Sequence, residues 1–225
     1  MQHLGTIFNT TRIICLSFCA TIAFSNQAIS CPCSEIKVPE SGPEFAVAEG
    51  LSYMKTPEYR KEFSRAISSA YQACRKHKGE DNLAIVSDID ETVLSNKEYF
   101  ENNQNWDNWD NWESKSSAPV LKPTAEFLAW ARKNGFVIFF ITGRREKDRA
   151  VTIKNLAKAG IAYDGLYLRG DNDDSPAQTM KVAYRKQIEK MGFKIIVSIG
   201  DQYSDLAGGH AEDCEKLPNK IYFIK

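Results

Sequence analysis

The chain of 225 residues has no excess of charge of either sign. Lysine and arginine together number 29, and aspartate and glutamate together also number 29. Proteins that bind a nucleic acid polymer usually carry a basic stripe, and the sequence shows none beyond ordinary mixed charge. The charge balance therefore argues against a nucleic acid polymer as the partner.

No low-complexity tract is present, and the apolar run near the N-terminus, residues 13–24, is too short to span a bilayer comfortably. This run follows Arg12, and small residues follow it up to Ser30, which is the pattern of a cleaved export signal. We therefore predict a signal peptide over residues 1–30. The protein is then expected in the periplasm, tethered at the outer membrane, or secreted. An uncleaved hydrophobic helix is the minor alternative.

Cysteine is scarce, and four of the 6 cysteines follow the predicted signal: Cys31, Cys33, Cys74 and Cys214. Exported proteins keep disulfides, so pairing is expected, and four cysteines allow three connectivities. Residues 28–30 suit an ordinary signal peptidase and also resemble a lipobox, so a lipid on Cys31 that tethers the protein to a membrane stays open. In that case one of the other three cysteines is left over. The single residue between Cys31 and Cys33 excludes a redox or zinc motif.

What the chain does contain is a pair of carboxylates directly after a short apolar run. The run LAIV is followed within two residues by Asp88-Ile89-Asp90-Glu91-Thr92. In an extended segment residues i and i+2 face the same side, so Asp88 and Asp90 lie close together and repel each other unless a cation or a proton intervenes. Oxygen ligands of this kind favour Mg2+. The pattern predicts a metal-dependent catalytic site.

Further polar segments come where later apolar runs end. The run FVIFFI stops at Thr142-Gly143-Arg144, and the run IIVSI stops at a segment that contains Asp201 and Asp205. Between them, Lys181 and Arg185 lie four residues apart in a segment of helical character, so they share one face. In open parallel sheets ligands bind outside the carboxyl ends of the strands. We therefore expect these segments to meet in one crevice.

Alternating strand and helix patterns predict an α/β fold, a Rossmann-like parallel sheet with helices on both faces. Residues 31–43 read as a linker, and residues 44–225 as one domain that begins with two helices. Later helices are predicted over residues 125–133, 145–159 and 177–191. An insertion over about residues 95–120 is expected to form a small helical cap.

These motifs resemble the haloacid dehalogenase superfamily of phosphatases. More narrowly they resemble the class C (subfamily IIIB) acid phosphatases and their plant relatives, the vegetative storage proteins and acid phosphatases. In the family's order the motifs read IVSDIDETVLSN, ITGR, KVAYR and IGDQYSDL, and the ending LPNKIYFI is similar to the plant branch. The resemblance covers roughly residue 44 to the C-terminus.

The resemblance implies a Mg2+-dependent acid phosphatase that acts on small phosphomonoesters such as nucleoside monophosphates. Asp88 matches the nucleophile, and Asp90 matches the general acid and base. Thr142 matches the hydroxyl that holds the transferring phosphoryl group, and Lys181 matches the cation beside it. The expected Mg2+ ligands are Asp88, Asp90, Asp201 and Asp205.

Substrate contacts are also expected from Gly143, Arg144 and Arg185, although a structural salt bridge explains Arg144 at least as well. A carboxylate nucleophile divides the displacement at phosphorus into two easier steps. Asp90 would protonate the leaving alcohol and later deprotonate the attacking water. An acidic optimum follows if the surroundings raise the pKa of Asp90 only modestly.

A tryptophan repeat, WDNWDNW over residues 106–112, lies in the insertion, and strand alternation does not explain its period of three. Tryptophan dominates cores and binding surfaces alike, so a plug that packs the insertion and a lid that touches substrate are both open. In the resembling family, aromatic residues of this insertion cover the site and can stack on a substrate's ring. The candidate specificity residues are Tyr99, Trp106, Trp109 and Trp112.

Two other functions stay open. Some storage relatives have the same fold but lack the nucleophile, so a storage or binding protein with little activity is one alternative. The presence of Asp88 together with the other motif residues favours the enzyme. A phosphotransferase is the other alternative, because it needs only an acceptor alcohol that outcompetes water at the aspartyl-phosphate.

Overall fold

The computed structural model of the protein describes residues 33–42 and 44–224. The predicted signal peptide and Cys31 lie outside the described residues. Within the described part of the chain, no helix is both long and apolar enough to cross a membrane.

A parallel sheet of five strands forms the centre of the described chain, in the order β3-β2-β1-β4-β5. The strands are β1 (Leu83–Ser87), β2 (Val137–Arg145), β3 (Gly165–Arg169), β4 (Lys194–Gly200) and β5 (Asp213–Lys216). The chain runs from β1 outwards to β3 on one side and returns to β4 and β5 on the other. The crevice at the carboxyl ends of β1 and β4 is therefore the topological switch point, where such sheets bind ligands.

Helices cover both faces of this sheet, as predicted. They are α1 (Val47–Met54), α2 (Pro57–Lys76), α3 (Lys97–Asn102), α4 (Trp109–Ser114), α5 (Lys122–Lys133), α6 (Arg149–Lys158) and α7 (Ala177–Lys190). Successive strand residues point to opposite faces. Ile85 belongs to the larger core, which contains residues of α1, α2 and α5, whereas Phe139 belongs to a second core with Met180 and Ile188 of α7. The predicted α/β fold is confirmed.

The boundaries differ from the prediction beyond β2. The helix expected over residues 145–159 begins only at Arg149, because β2 continues to Arg145 and a 3-10 turn, Glu146–Asp148, follows it. The two edge strands were not predicted. β3 is only partly buried, and β5 reads DCEK, so neither presents the continuous apolar run of a central strand.

The insertion contributes the short helices α3 and α4. Isolated bridges join Asp90 to Leu94 and Leu94 to Val120, so both ends of the insertion are fastened beside the carboxyl end of β1. Its helices therefore begin next to the residues of the first motif.

One disulfide links the start of the described chain to the sheet. Cys33 is bonded to Cys214 at the start of β5, with a Cα–Cα distance of 5.3 Å and a sequence separation of 181. Cys74 is a free, buried thiol. The expectation of pairing is thus met by Cys33 and Cys214 among the described residues.

Candidate active site

Asp88 lies at the carboxyl end of the central strand and faces the buried ammonium group of Lys181. Its backbone N–H donates to the carbonyl oxygen of Ile199 at 3.0 Å, which extends the pairing of β1 with β4 by one residue. Its Oδ1 accepts a hydrogen bond of 2.8 Å from Lys181 Nζ, and Lys181 also bonds to Asp205. Burial raises the pKa of Asp88, and Lys181 offsets only part of that effect. Lys181 therefore couples the expected nucleophile to the acidic segment after β4.

Three buried carboxylates converge beside the ammonium group of Lys181. Asp88, Asp201 and Asp205 each offer an oxygen atom, and these atoms lie within 4.8 Å of one another. Burial and the charge of Asp205 raise the pKa of Asp201 to about 6. Lys181 can neutralise only one of the three negative charges, and an all-oxygen set of this kind suits a hard divalent cation. These three aspartates can therefore hold a metal ion.

The segment after β4 is shaped to present its aspartates. Asp201 Oδ2 accepts hydrogen bonds from Gln202 Nε2 at 2.7 Å and from Asn219 Nδ2 at 2.6 Å. The backbone N–H of Gln202 donates to Asp205 Oδ2 at 2.7 Å. A Cβ atom at Gly200 would lie 2.2 Å from that same Asp205 oxygen. Only glycine at position 200 lets the carboxylate of Asp205 come this close to the strand end.

Asp90 is held by an arginine. Arg144 Nε donates to its Oδ2 at 2.9 Å and Arg144 Nη2 to its Oδ1 at 2.6 Å, while Asn96 Nδ2 donates to Oδ1 at 2.9 Å. Burial alone would raise the pKa of Asp90, but the charge and hydrogen bonds of Arg144 outweigh it and lower the pKa. This corrects the expectation of a modestly raised pKa. The carboxylate of Asp90 faces Arg144 and lies outside the aspartate trio, so a metal-ligand role of Asp90 stays a prediction.

The other predicted residues fall into two groups. Thr142 is fully buried, and its hydroxyl accepts the backbone N–H of Arg144 at 3.2 Å, while Gly143 lines the cavity of the site. Arg185 is not in the cavity. Its guanidinium is fully buried and donates to the carbonyl oxygens of Asp205 at 2.6 Å and Gly209 at 2.9 Å. The expected substrate contact of Arg185 is therefore wrong for this structure, because the carbonyl groups of the loop after β4 occupy its donors.

A cavity of about 490 Å³ opens above these groups, and two of the four aromatic candidates line it. Trp106 and Trp109 line the cavity, beside Tyr222. Trp112 is buried and donates its Nε1–H to Asn96 Oδ1 at 2.8 Å, and Tyr99 is buried with its hydroxyl bonded to a backbone carbonyl. Trp106 and Trp109 thus lie where a residue of a lid would, and their contact with substrate stays a prediction, whereas Tyr99 and Trp112 are buried within the insertion.

A family model described as HAD superfamily, subfamily IIIB (Acid phosphatase), matches residues 18–225. The chain belongs to this family. Among plant relatives, it is 34% identical to acid phosphatase 1 of Solanum lycopersicum over 65% of the chain and 61% of the relative. It is 36% identical to a stem 28 kDa glycoprotein of Glycine max over 63% of the chain and 60% of the relative. The chain thus spans about 60% of the length of these relatives.

Two further comparisons of the subfamily IIIB chain concern a storage protein and a solved structure. It is 29% identical to vegetative storage protein 1 of Arabidopsis thaliana over 62% of the chain and 54% of the relative. The solved structure of the class C acid phosphatase from Bacillus anthracis matches with a TM-score of 0.66 at 21% identity, over 79% of this chain and 85% of that one. The structural match shows the shared fold.

Several residues of this subfamily IIIB site were not identified from the sequence. Asn96 and Glu91 lie inside the first motif, and burial raises the pKa of Glu91 to about 8. Tyr222, in the segment LPNKIYFI, donates its hydroxyl to Glu91 Oε2 at 2.9 Å. Glu113 follows the last tryptophan of the repeat and pairs with Arg144 at 3.2 Å. Asn96, Glu91 and Tyr222 lie within segments that the sequence had singled out, although their roles were not predicted. Nothing in the sequence indicated Glu113.

Proposed function

We propose that the protein is an exported, Mg2+-dependent acid phosphatase that hydrolyses small phosphomonoesters through an aspartyl-phosphate intermediate. The observation that carries this proposal is the buried set of Asp88, Asp201 and Asp205 around Lys181, with Asp90 on the same cavity. A nucleophile, a cation and an acid at one strand end are what transfer of a phosphoryl group needs. Family membership supports the same reaction.

In the first step a carboxylate oxygen of Asp88 attacks phosphorus, and the bond between phosphorus and the leaving oxygen breaks. Asp90 gives its proton to that oxygen, so the product leaves as an alcohol. In the second step Asp90 takes a proton from water, which attacks phosphorus and releases inorganic phosphate while the carboxylate of Asp88 is restored.

Three groups neutralise or hold the phosphoryl oxygens. The ammonium group of Lys181 lies beside the attacking carboxylate. The hydroxyl of Thr142 accepts a backbone N–H, which leaves its own proton to donate to the substrate. A Mg2+ ion held by Asp88, Asp201 and Asp205 would supply positive charge as the phosphoryl group transfers.

The acidic optimum follows from Arg144. Because Arg144 lowers the pKa of Asp90, the protonated acid needed for the first step is abundant only at low pH. Activity should therefore rise as the pH falls for as long as Asp88 stays ionised, which a divalent cation beside its carboxylate would favour because burial alone raises the pKa of Asp88. The cause is the opposite of the raised pKa considered from the sequence.

The substrate class is that of phosphomonoesters with an aromatic ring, such as nucleoside monophosphates. Trp109 offers flat apolar surface at the wall of the cavity, beside Trp106, and a base stacks on such surface. Export is supported by the disulfide between Cys33 and Cys214, because disulfides persist in oxidising compartments. A lipid at Cys31 remains part of the proposal and is tested by mass spectrometry of the mature N-terminus.

The deciding experiment is phosphate release from a panel of phosphomonoesters, with and without EDTA, at pH 4 to 8. Metal-dependent release that is lost in Asp88→Asn supports the enzyme. A purified, folded protein that releases no phosphate from any substrate would favour the storage function. Product analysis with an added acceptor alcohol distinguishes transfer to that alcohol from hydrolysis.

A further inference from the structure

Two consecutive residues of helix α4 in the insertion reach towards Asp90 from different sides. Trp112 and Glu113 are both buried, although the helix begins at the partly exposed Trp109. Neither residue forms a hydrogen bond with Asp90, whose carboxylate is bonded to Arg144 and Asn96. Each instead contacts a side chain that holds the carboxylate of Asp90, and each contact crosses from the insertion to the main domain or to the first motif.

The first connection passes through Asn96. Trp112 Nε1 donates to Asn96 Oδ1 at 2.8 Å, and Asn96 Nδ2 donates to Asp90 Oδ1 at 2.9 Å. An amide that accepts on its oxygen must point its NH2 group the other way. Trp112 therefore determines which end of the Asn96 amide faces Asp90.

The second connection passes through Arg144. Its Nε lies 2.9 Å from Asp90 Oδ2 and 3.2 Å from Glu113 Oε1, and its Nη1 donates to Thr152 Oγ1 at 3.3 Å. The side chains of Arg144 and Glu113 are each 2% exposed. Burial raises the pKa of Glu113 to about 8, so at acid pH it is a neutral group beside the guanidinium and leaves the charge of Arg144 to Asp90.

We propose that Trp112 and Glu113 are positioning residues, through which the insertion orients the carboxyl group of Asp90 towards the leaving oxygen. This inference rests on the proposed phosphatase function. It also explains why the third tryptophan of the repeat is buried while the first two line the cavity. A general acid contributes only when its proton is within hydrogen-bond reach of the oxygen that leaves. Helix α4 contacts the two side chains, Asn96 and Arg144, that hold the carboxyl group of Asp90.

The test uses Trp112→Phe and Glu113→Ala with two substrates, glycerol phosphate and p-nitrophenyl phosphate. The phenylalanine keeps the aromatic ring and removes only the donor. Glycerol leaves as an alkoxide that must be protonated, whereas p-nitrophenolate is a stable anion and needs no acid. The ratio kcat/KM reports the steps up to formation of the aspartyl-phosphate, so it isolates the acid role of Asp90 from its later role as base.

We expect kcat/KM for glycerol phosphate to fall about 10- to 100-fold in both variants, while the value for p-nitrophenyl phosphate changes less than about 3-fold. Glu113→Gln keeps a neutral polar side chain beside Arg144, as the protonated carboxyl group is at acid pH, and should therefore recover most of the loss there. In an Asp90→Asn background neither change should cost anything further, because the group that they position is absent.

Trp130→Phe and Glu215→Gln are the matched controls, because Trp130 packs against Tyr71 and Phe127 and Glu215 is buried on β5, both outside the cavity. Equal losses on the two substrates, or no loss on either, would overturn the positioning role. A thermal unfolding curve identifies any variant that fails to fold. If Trp112→Phe or Glu113→Ala fails to fold, the positioning role is tested instead with Glu113→Gln and with the comparison in the Asp90→Asn background. If the wild-type protein hydrolyses neither substrate, the proposed function itself fails, and the inference falls with it.

Discussion

Lys181 Nζ donates to Asp88 Oδ1 at 2.8 Å and bonds at the same time to Asp205. One ammonium group therefore contacts two of the three aspartates that can hold a metal ion, and one of the two is the expected nucleophile. A phosphoryl group on Asp88 would lie within reach of the same charge. In the proposed mechanism, this arrangement would connect attack at phosphorus to the neutralisation of its oxygens.

Replacing the nucleophile tests the covalent mechanism. Asp88→Asn should lower turnover at least about 1,000-fold, because an amide conserves the volume but does not form an aspartyl-phosphate. The fold should persist, since the change also removes one of three mutually repelling carboxylates. Phosphate release and circular dichroism of the purified variant measure the two effects. Turnover close to that of the wild type would refute covalent catalysis by Asp88.

Replacing a metal ligand tests the proposed ion. Asp201→Asn should weaken Mg2+ binding about 10- to 100-fold, and added Mg2+ should restore part of the activity. Isothermal titration and activity at controlled free Mg2+ measure this. Glu101→Gln, in the exposed pair with Lys97, is the control and should leave both unchanged. If neither the wild type nor Asp201→Asn responds to Mg2+ or EDTA, the assigned metal site is wrong.

The two tryptophans that line the cavity should separate stacking from packing. Trp106 has ring contacts with Phe45, Tyr222 and Trp109 at centroid distances of 5.3, 5.0 and 4.9 Å, whereas Trp109 contacts only residues of the insertion among the described rings. Trp109→Ala should raise KM for nucleoside monophosphates about 5- to 150-fold, which corresponds to the free energy of one stacked base. Glycerol phosphate should be spared.

For Trp106→Ala we expect a lower melting temperature and a similar loss on both substrate classes, because Trp106 joins the insertion to the N-terminal and C-terminal segments. Steady-state kinetics and thermal unfolding distinguish the two residues. A uniform loss with a lower melting temperature in Trp109→Ala would show that it too is a packing residue.

A buried carboxyl group away from the cavity should make stability depend on pH. Burial raises the pKa of Glu215 from 4.5 to about 7, against a hydrogen bond from Ser69 that lowers it. The folded state therefore holds this proton up to about pH 7, while the unfolded state releases it near pH 4.5. Because the folded state binds more protons in this window, the free energy of unfolding should fall as the pH rises through it.

Glu215→Gln should reduce this fall by on the order of 2 kcal/mol between pH 5 and pH 8. Urea unfolding in EDTA, with the wild type and the variant at each pH, measures the difference. Asp164→Asn, a partly exposed residue in an ion pair with Arg132, serves as the control. Parallel pH dependences of the wild type and Glu215→Gln would contradict the assignment.

The disulfide should contribute substantially to stability because it closes a loop of 181 residues. Cys33→Ser should lower the free energy of unfolding by about 2–5 kcal/mol, since the unfolded chain regains the conformations that the bond removes. Denaturant unfolding measures the loss. A reductant should destabilise the wild type and leave Cys33→Ser unaffected, and equal sensitivity of both proteins would contradict this account.

The central strands and the aspartates at their ends were predictable from the sequence alone. β1, β2 and β4 are buried on both faces, so each reads as a continuous apolar run, and the polar residue after each run falls at the same edge of a parallel sheet. This local pattern is sufficient to bring Asp88 and Asp201 together. The edge strands β3 and β5 lacked it because only part of their surface is buried.

The partner of each charged side chain was decided only by the tertiary structure. Helical spacing places Lys181 and Arg185 on one face of α7, but the two residues lie one turn apart along the helix. Lys181 therefore bonds to Asp88, whereas Arg185 bonds to backbone carbonyl groups after β4. The bond between Arg144 and Asp90 joins residues 54 positions apart. Local periodicity indicates which face of an element is buried, whereas the contacts that each side chain makes depend on how distant elements pack. The packing of distant elements also explains why Trp112 is buried while Trp106 and Trp109 of the same repeat are partly exposed.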